Sequence, residues 1–302
     1  MKFTRKEFIR ASSIITGGLL LPGSKALTRL MDESSNFKII RKNIGIYTER
    51  GGTMGWLISD DAVVVVDSQF PDTAKNFMTS LQKKTPRKID LLFNTHHHGD
   101  HTAGNVYLKD FASKIVAHEN CPALQKKSYG SDPNKPQVYA DTTFNDEWML
   151  VLGKEKIHAK HFGAAHTGGD AVIHFMNSNV VHVGDLVFNK TFPYIDPNGG
   201  GSIKGWSEVL ANISNHFSKD TLYIFGHAAS PEIVTGSVKD LIETKDYLNT
   251  LLNFVSKEIK NGKIKEQIAA ATEIPGFAHY KERWEGARKL NLESAYDELM
   301  KK

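Results

Sequence analysis

Asn94-Thr95-His96-His97-His98-Gly99-Asp100-His101-Thr102 is the stretch that decides the reading of this chain. Between positions 96 and 101 it sets four histidines and one aspartate in six consecutive residues. Imidazole nitrogen and carboxylate oxygen are ligands that zinc accepts. The spacing His96-x-His98-x-Asp100-His101 splits into two groups able to face two metals about 3.5–4 Å apart, the separation of two-metal hydrolases. Just upstream, Ile89-Asp90-Leu91-Leu92-Phe93 reads as a short buried strand. The histidines therefore begin where a strand ends, the place at which open α/β sheets carry their chemistry.

Working outward, strand-like runs precede the cluster at Phe37-Lys38-Ile39-Ile40, Ile44-Gly45-Ile46-Tyr47, Gly55-Trp56-Leu57-Ile58 and Ala62-Val63-Val64-Val65-Val66. Gly51-Gly52 and Asp60-Asp61 supply turns between them. The valine run is apolar throughout and ends in Asp67, the pattern of a strand buried on both faces. Pro71 to Lys84 reads as a helix, Gly104 to Ala112 as another, and Lys114 to His118 as a strand. Lys126 to Asp146 is polar and is expected to form a loop over the site, carrying Tyr129 and Tyr139. Strands resume at Glu147–Val151, Ile157–Phe162, Ala171–Phe175, Val180–Val183 and Thr221–Phe225. Phe192 to Gly205, with two prolines and Gly199-Gly200-Gly201, suggests a second wall. From Ser237 the pattern is helical to the end, with breaks at Asn261-Gly262 and Pro275-Gly276.

Three more motifs follow the cluster in order. Gly163-Ala164-Ala165-His166-Thr167 places a histidine after a strand. Val183-Gly184-Asp185 ends the run Val180-Val181-His182. Phe225-Gly226-His227 closes the last core strand. With His96-x-His98-x-Asp100-His101, these resemble the landmarks of the metallo-β-lactamase superfamily, with Phe225 where that family usually has proline. The resemblance runs from about residue 37 to 235. It implies an α/β fold, the αβ/βα four-layer sandwich, with the metals at one edge between the two sheets. The helices from about 237 to 302 read as an extension of the same domain.

Carried over by that resemblance, His96, His98 and His166 would hold a first zinc ion, and Asp100, His101 and His227 a second. Asp185 would bridge the two, at the place where some lactamases have cysteine. Two zinc ions make hydroxide available near neutral pH. Asp100 would be the catalytic carboxylate that orients it and takes its proton, and the first zinc would stabilise the oxyanion. A set without thiolate also suits iron or manganese. Asp67 reads as either the partner of a ligand histidine's N–H or a turn cap.

The other histidines lack this support. His97 lies between two ligands and is expected to point away. His118, His158, His161, His174 and His182 sit in or beside strands and read as structural; His216 and His279 read as surface residues. Tyr129, Tyr139, Phe192 and Trp206 are candidates either for the pocket wall or for packing. Cys121, the single cysteine, allows no intramolecular disulfide and reads as a small buried residue.

Residues 1–26 read as a targeting segment: basic Lys2, Arg5, Lys6 and Arg10, an apolar run from Ala11 to Pro22, and small residues at Ser24-Lys25-Ala26. Thr4 to Arg10 resembles a twin-arginine (Tat) export signal with Lys6 in place of the second arginine; a Sec-type route is the alternative. The expectation is a periplasmic protein, residues 27–302, without a stable membrane anchor. Cleavage would remove five bases and one acid, leaving 33 of each. A chain near neutrality has no global pull on nucleic acid, and the expected partner is a small-molecule substrate. The sequence carries no signal for the oligomeric state.

The superfamily that the chain resembles cleaves β-lactams, lactones, thioesters, phosphodiesters and sulfate esters. Near-zero charge and no domain inserted between His166 and His227 disfavour nucleic-acid processing. Export disfavours a cytosolic glutathione thioester. The expected reaction is hydrolysis of a small ester, lactone or amide (including β-lactam) carbonyl. Cysteine-type lactamases carry a substrate-holding lysine where this chain has Phe188, so Lys190 or Lys204 would have to serve. Alternatives are a true β-lactamase, a quorum-quenching lactonase, an iron oxidoreductase on the same fold, disfavoured by His98 where such relatives have glutamate, and a non-hydrolytic metal-binding envelope protein.

Overall fold

The computed structural model describes residues 36–301. The proposed leader, residues 1–26, lies outside the described residues. A seven-stranded sheet runs in sequence order: β1 (Phe37–Arg41), β2 (Ile44–Tyr47), β3 (Met54–Ile58), β4 (Val63–Val66), β5 (Leu91–Asn94), β6 (Ile115–His118) and β7 (Thr142–Phe144). Its first four strands pair antiparallel and the last four parallel. The second sheet uses β8 (Glu147–Leu152), β9 (Glu155–Lys160), β10 (Val172–Phe175), β11 (Val180–His182), β13 (Leu222–Ile224) and β15 (Thr235–Gly236), in the spatial order β15-β13-β11-β10-β9-β8. A short parallel pair, β12 (Phe188–Asn189) with β14 (His227–Ala228), joins loops that follow β11 and β13.

The valine run shows why the sheets stack. Side chains of a strand point alternately to opposite faces. Val64 and Val66 enter the core between the sheets with Phe93, Ile173, Phe175 and Ile224. Val63 and Val65 enter a different core, against helix α1 (Pro71–Gln82) through Phe77, Met78 and Leu81. The second sheet alternates likewise. Val180 and Ile224 face the inter-sheet core, whereas Val181 and Tyr223 meet α5 (Ile203–His216) and α6 (Val238–Lys260) on the outside. A strand without a polar face therefore has apolar cover on both sides, and the result is the four-layer αβ/βα sandwich expected from the sequence.

Helix α6 begins where predicted: Asp240 accepts from the Ser237 N–H at 2.9 Å and the Ser237 hydroxyl accepts from Lys239 N–H, a reciprocal N-terminal cap. Helices α7 (Lys265–Ala269) and α8 (Ala287–Met300) follow, and Leu292 and Ala295 share the core of α5 and α6. No helix among the described residues is long and apolar enough to cross a membrane.

Three sequence expectations change. The segment from Gly104 to Ala112 forms only α3 (Asn105–Leu108), preceded by α2 (Gly99–Thr102) in the histidine cluster itself. Lys126–Asp146 is not all loop: α4 (Asn120–Tyr129) holds Tyr129, and β7 adds parallel to β6. The break expected at Pro275-Gly276 is present but widens to a loop that fills the whole stretch between α7 and α8. Its Thr191–Lys281 bridge ties it to the chain just after β12.

A buried and a half-buried histidine away from the site make the fold sensitive to acid. The His118 ring stacks on His161 at 4.0 Å, and burial, then His161, pushes it down to about 4. Burial, then His158 and His216, pushes His174 down to about 4. The Nε2 atoms of both lack a partner. Unfolding lets each take a proton near its ordinary value of 6.5. Stability is therefore full above pH 6.5 and falls as pH drops through this window toward 4. Urea midpoints of the metal-free protein between pH 7.5 and about 4.5 check this; the slope flattens in the His118→Gln/His174→Gln variant, and a flat native profile contradicts it.

Candidate metal centre

Four strand ends converge. Asp67 follows β4, the histidine cluster follows β5, Asp185 follows β11 and His227 follows β13. His166 arrives from the β9–β10 loop. The Thr167 N–H and hydroxyl donate to Asp170 at 2.8 and 2.6 Å, fixing that loop, and burial raises Asp170 to about 7.

The ligand-type atoms form two adjoining groups. In one, His98 Nδ1 lies 3.0 Å from both His96 Nε2 and His166 Nε2. Asp185 Oδ2 closes it at 3.8 Å from His96 and 3.5 Å from His166. In the other, Asp100 Oδ2 lies 3.0 Å from His227 Nε2 and 3.7 Å from His101 Nε2. Asp185 reaches this group too: Oδ2 is 3.3 Å from His227 Nε2, and Oδ1 is 3.1 Å from His101 Nε2 but makes no hydrogen bond. One carboxylate thus touches both groups. All seven residues singled out in the sequence are brought together.

Each ring is aimed by its other nitrogen or by packing. His101 Nδ1–H donates to Asp67 Oδ2 at 2.7 Å. His96 Nδ1 lies 3.0 Å from the Thr95 hydroxyl, which itself donates to Asp67 Oδ2 at 2.8 Å. Asp67, at positive φ 64°, therefore orients one histidine of each group, and the histidine-partner reading prevails over the turn cap. His98 Nε2–H donates to Asp196 Oδ2 at 3.0 Å, and His166 Nδ1–H to the Tyr194 carbonyl at 2.9 Å. The Phe188 ring lies 5.1 Å from that of His227. Asp196 and Tyr194 belong to the predicted second wall, but neither was singled out; an acid held between Ile195 and Pro197 was the available signal.

Two glycines make room. A Cβ on Gly226 would stand 2.0 Å from Asp185 Oδ1, and one on Gly52 would stand 2.2 Å from the His101 ring. The glycine of Phe225-Gly226-His227 is thus a steric requirement of the Asp185 carboxylate that touches both groups.

The protonation pattern tests whether metal fits. Burial holds His96 well below its ordinary value and His166 at about 3, so these rings are neutral, with lone pairs available. Burial also opposes charge on His101 and His227, but the carboxylates outweigh it: Asp185, Asp100 and Asp67 raise His101, and Asp185 and Asp100 raise His227. Burial favours neutral Asp185 and Asp100, yet His101 and His227 hold both below the carboxylate range. Protons on His101 and His227 stand where a cation would neutralise the same acids. Three converging imidazole nitrogens closed by Asp185 Oδ2, with Oδ1 of the same carboxylate unbonded beside His101, suit a metal better than internal hydrogen bonds.

Removing the shared orienting acid should therefore weaken both groups. Outer partners of metal ligands are worth about 10–100-fold in affinity. The Asp67→Asn variant is expected to lose zinc affinity in that range, measured by competition with a chelator, while its fold is retained by circular dichroism.

Among the other candidates, His97 is buried with neither ring nitrogen hydrogen-bonded, and its Nε2 lies 3.5 Å from Asp196 Oδ2. Burial, then His98, pushes it down to about 4. His97, His98 and Asp196 thus form a third group of ligand type. His182 Nε2–H donates to the Thr53 carbonyl at 3.0 Å, and His158 pairs with Glu147. Cys121 is buried. Tyr129 lines the cavity over the centre; Tyr139 does not. Phe192 packs on Tyr247 and Tyr280, and Trp206 is wholly buried behind His166, its indole N–H donating to the Leu186 carbonyl at 2.9 Å. Lys190 pairs with Glu243, and neither it nor Lys204 lines the cavity.

The metallo-beta-lactamase superfamily model matches residues 48–244. The chain belongs to the metallo-beta-lactamase superfamily. It is a hydrolase of that superfamily with histidine and aspartate groups able to hold metal ions. A metallo-beta-lactamase type 2 of Elizabethkingia meningoseptica is 24% identical over 220 residues, 69% of this chain and 86% of that protein. The 2,4-dinitroanisole O-demethylase subunit alpha of a Nocardioides strain is 27% identical over 172 residues, and the match spans only 50% of its length. Among solved structures, a metallo-beta-lactamase from Pontibacter korlensis superposes with a TM-score of 0.62 at 15% identity, covering 70% of this chain and 98% of that one. The stereoselective inverting sec-alkylsulfatase Pisa1 from Pseudomonas sp. gives 0.70 at 14% identity, covering 88% of this chain and 50% of the sulfatase. At these identities the structural likeness shows the fold.

Proposed function

We propose that the chain is an exported zinc hydrolase that opens a small ester, lactone or amide carbonyl. One observation carries the reading: the Asp185 carboxylate reaches both ligand groups, within 3.8 Å of His96, His166, His101 and His227. His96, His98, His166 and Asp185 would hold one ion; Asp100, His101, His227 and Asp185 would hold the other. When bound, such a pair supplies Lewis acidity and an acidified water at neutral pH. Asp100 is the ligand carboxylate that a substrate meets most openly, 30% exposed against 4% for Asp185. It accepts the attacking water's proton and orients it toward the carbonyl. Tyr129 and Tyr194 flank the cavity and set the approach.

True β-lactam hydrolysis is the second reading, supported by the Elizabethkingia relative matched over 86% of its length. Phe188 in the place of a substrate-holding lysine, and Lys190 tied to Glu243, count against it. The sulfatase neighbour adds alkyl sulfates to the substrates worth testing.

The experiment is metal analysis of residues 27–302 purified from a periplasmic extract, with turnover on lactone, aryl ester, thioester, alkyl sulfate and nitrocefin. About two zinc ions per chain and turnover on a carbonyl substrate, lost on chelation and regained on adding zinc, support the proposal. Bound iron with visible absorption, or a zinc-loaded protein inert to every substrate, overturns it. Retention in the cytosol overturns the export.

A further inference from the structure

The cavity over the ligand groups, about 740 Å³, has His98, Asp100 and His227 at its floor and Tyr194 and Trp284 on its wall. Trp284 and its neighbour Arg283 come from the loop before α8, in the C-terminal extension, where the sequence offered no functional residue. A second groove, about 680 Å³, lies alongside and is lined by Phe70, Pro71, Ala103, Val106 and Pro136. The two share Asp100, Tyr129 and Arg283. Arg283 also borders a third, smaller groove of about 280 Å³. It stands where all three meet.

The charges around this junction are unequal. Arg283 is the one arginine or lysine lining the metal cavity among the described residues. The other cation of the apolar groove, Lys135, pairs with Asp132 at 3.5 Å. Nearby Arg50 pairs with Asp72 at 2.6 Å, and Arg288 with Glu282 at 3.3 Å. Arg283 is exposed and has no such partner among the described residues. Asp100, Asp185 and Asp196 also face the cavity, but each already sets its Oδ2 against a histidine nitrogen. An unpaired guanidinium beside an apolar groove suits an anion that carries an apolar chain.

We propose that Arg283 holds a carboxylate on the substrate and that the substrate's aliphatic chain lies in the groove of Phe70 and Val106. The substrates are then anionic amphiphiles with the scissile carbonyl over Asp100 and His227. This rests on the hydrolase reading above and narrows it to a substrate class. It also gives the C-terminal extension a task in recognition.

The test separates binding from turnover. Zinc-loaded protein is titrated calorimetrically with octanoate, acetate and octan-1-ol, using the native chain, Arg283→Ala, Arg283→Lys and Val106→Trp. Native protein should prefer octanoate over acetate, gaining about fourfold for each methylene seated, and should prefer it over the uncharged alcohol. Arg283→Ala should lose about tenfold or more for octanoate, and lysine should restore part. Val106→Trp should remove the chain-length preference and leave acetate unchanged. An octanoate affinity indifferent to Arg283→Ala places the carboxylate on the metals and overturns the proposal; so does equal binding of octanoate and acetate. In parallel, 4-nitrophenyl hemiesters of dicarboxylic acids are compared with neutral 4-nitrophenyl alkanoates. Turnover that does not favour the hemiesters, with no change in KM for Arg283→Ala, overturns this proposal and leaves the hydrolase standing. Absence of turnover on every ester, with Arg283-dependent binding intact, counts against the hydrolase reading alone.

Discussion

The Asp185→Ala variant is expected to bind at most one zinc ion per chain and to lose about a thousandfold or more in kcat/KM. The direction follows from position. Asp185 Oδ2 is 3.5 Å from His166 Nε2 and 3.3 Å from His227 Nε2, so its loss removes a ligand from both groups at once. The magnitude follows from chemistry: a metal's stabilisation of transition-state charge is worth several kcal/mol, and each 1.36 kcal/mol is about tenfold in rate. The buried His101 and His227 also lose the acid that faces both, leaving Asp100 and Asp67 to offset His101 and Asp100 alone to offset His227. Metal content by mass spectrometry and kcat/KM on the best substrate of the panel check the result. A variant that keeps two ions and turns over within tenfold of the native rate would show that Asp185 bridges nothing.

Much of this centre could be read from the chain because its ligands are punctuated by strands. Valines 63–66 announce a strand covered on both faces, and Leu91-Leu92-Phe93 does the same immediately before the histidines. Apolar strands ending in His or Asp carry the resemblance, and the resemblance implied both the sandwich and the seven ligand-type residues; each of these side chains sits after a strand end or, for His166, in the loop between β9 and β10. What escaped notice lies where local pattern says little. Asp196 meets His98 across 98 positions of sequence, and nothing local marks a loop aspartate as the partner of a distant ring. Arg283 lines the cavity two residues after the Thr191–Lys281 bridge that ties the loop before α8 to the chain just after β12. The breaks read at Asn261-Gly262 and Pro275-Gly276 both occur, but the second widens into the whole loop between α7 and α8, where a tertiary tether stands in place of helix.

Asp100 carries the second large effect. In the Asp100→Asn variant, the amide oxygen keeps the size and one lone-pair donor of the carboxylate but loses its charge. Zinc content should stay close to native, because His101, His227 and Asp185 remain. The rate should fall about 10²–10⁴-fold, the usual worth of a positioned proton acceptor, with KM little changed. The pH profile distinguishes this from a ligand defect. In the native site His101 and His227 outweigh burial and hold Asp100 below the ordinary carboxylate range. It is therefore ionised throughout neutral pH and leaves the native rate flat there. With asparagine no resident acceptor remains, so hydroxide from solution must serve, and the variant's rate should climb with pH where the native rate is level. A parallel drop with an unchanged profile would make Asp100 a ligand only. Loss of the second ion from the variant would say the same by a different route. A rise with alkalinity at full zinc content is the outcome that assigns the proton to Asp100.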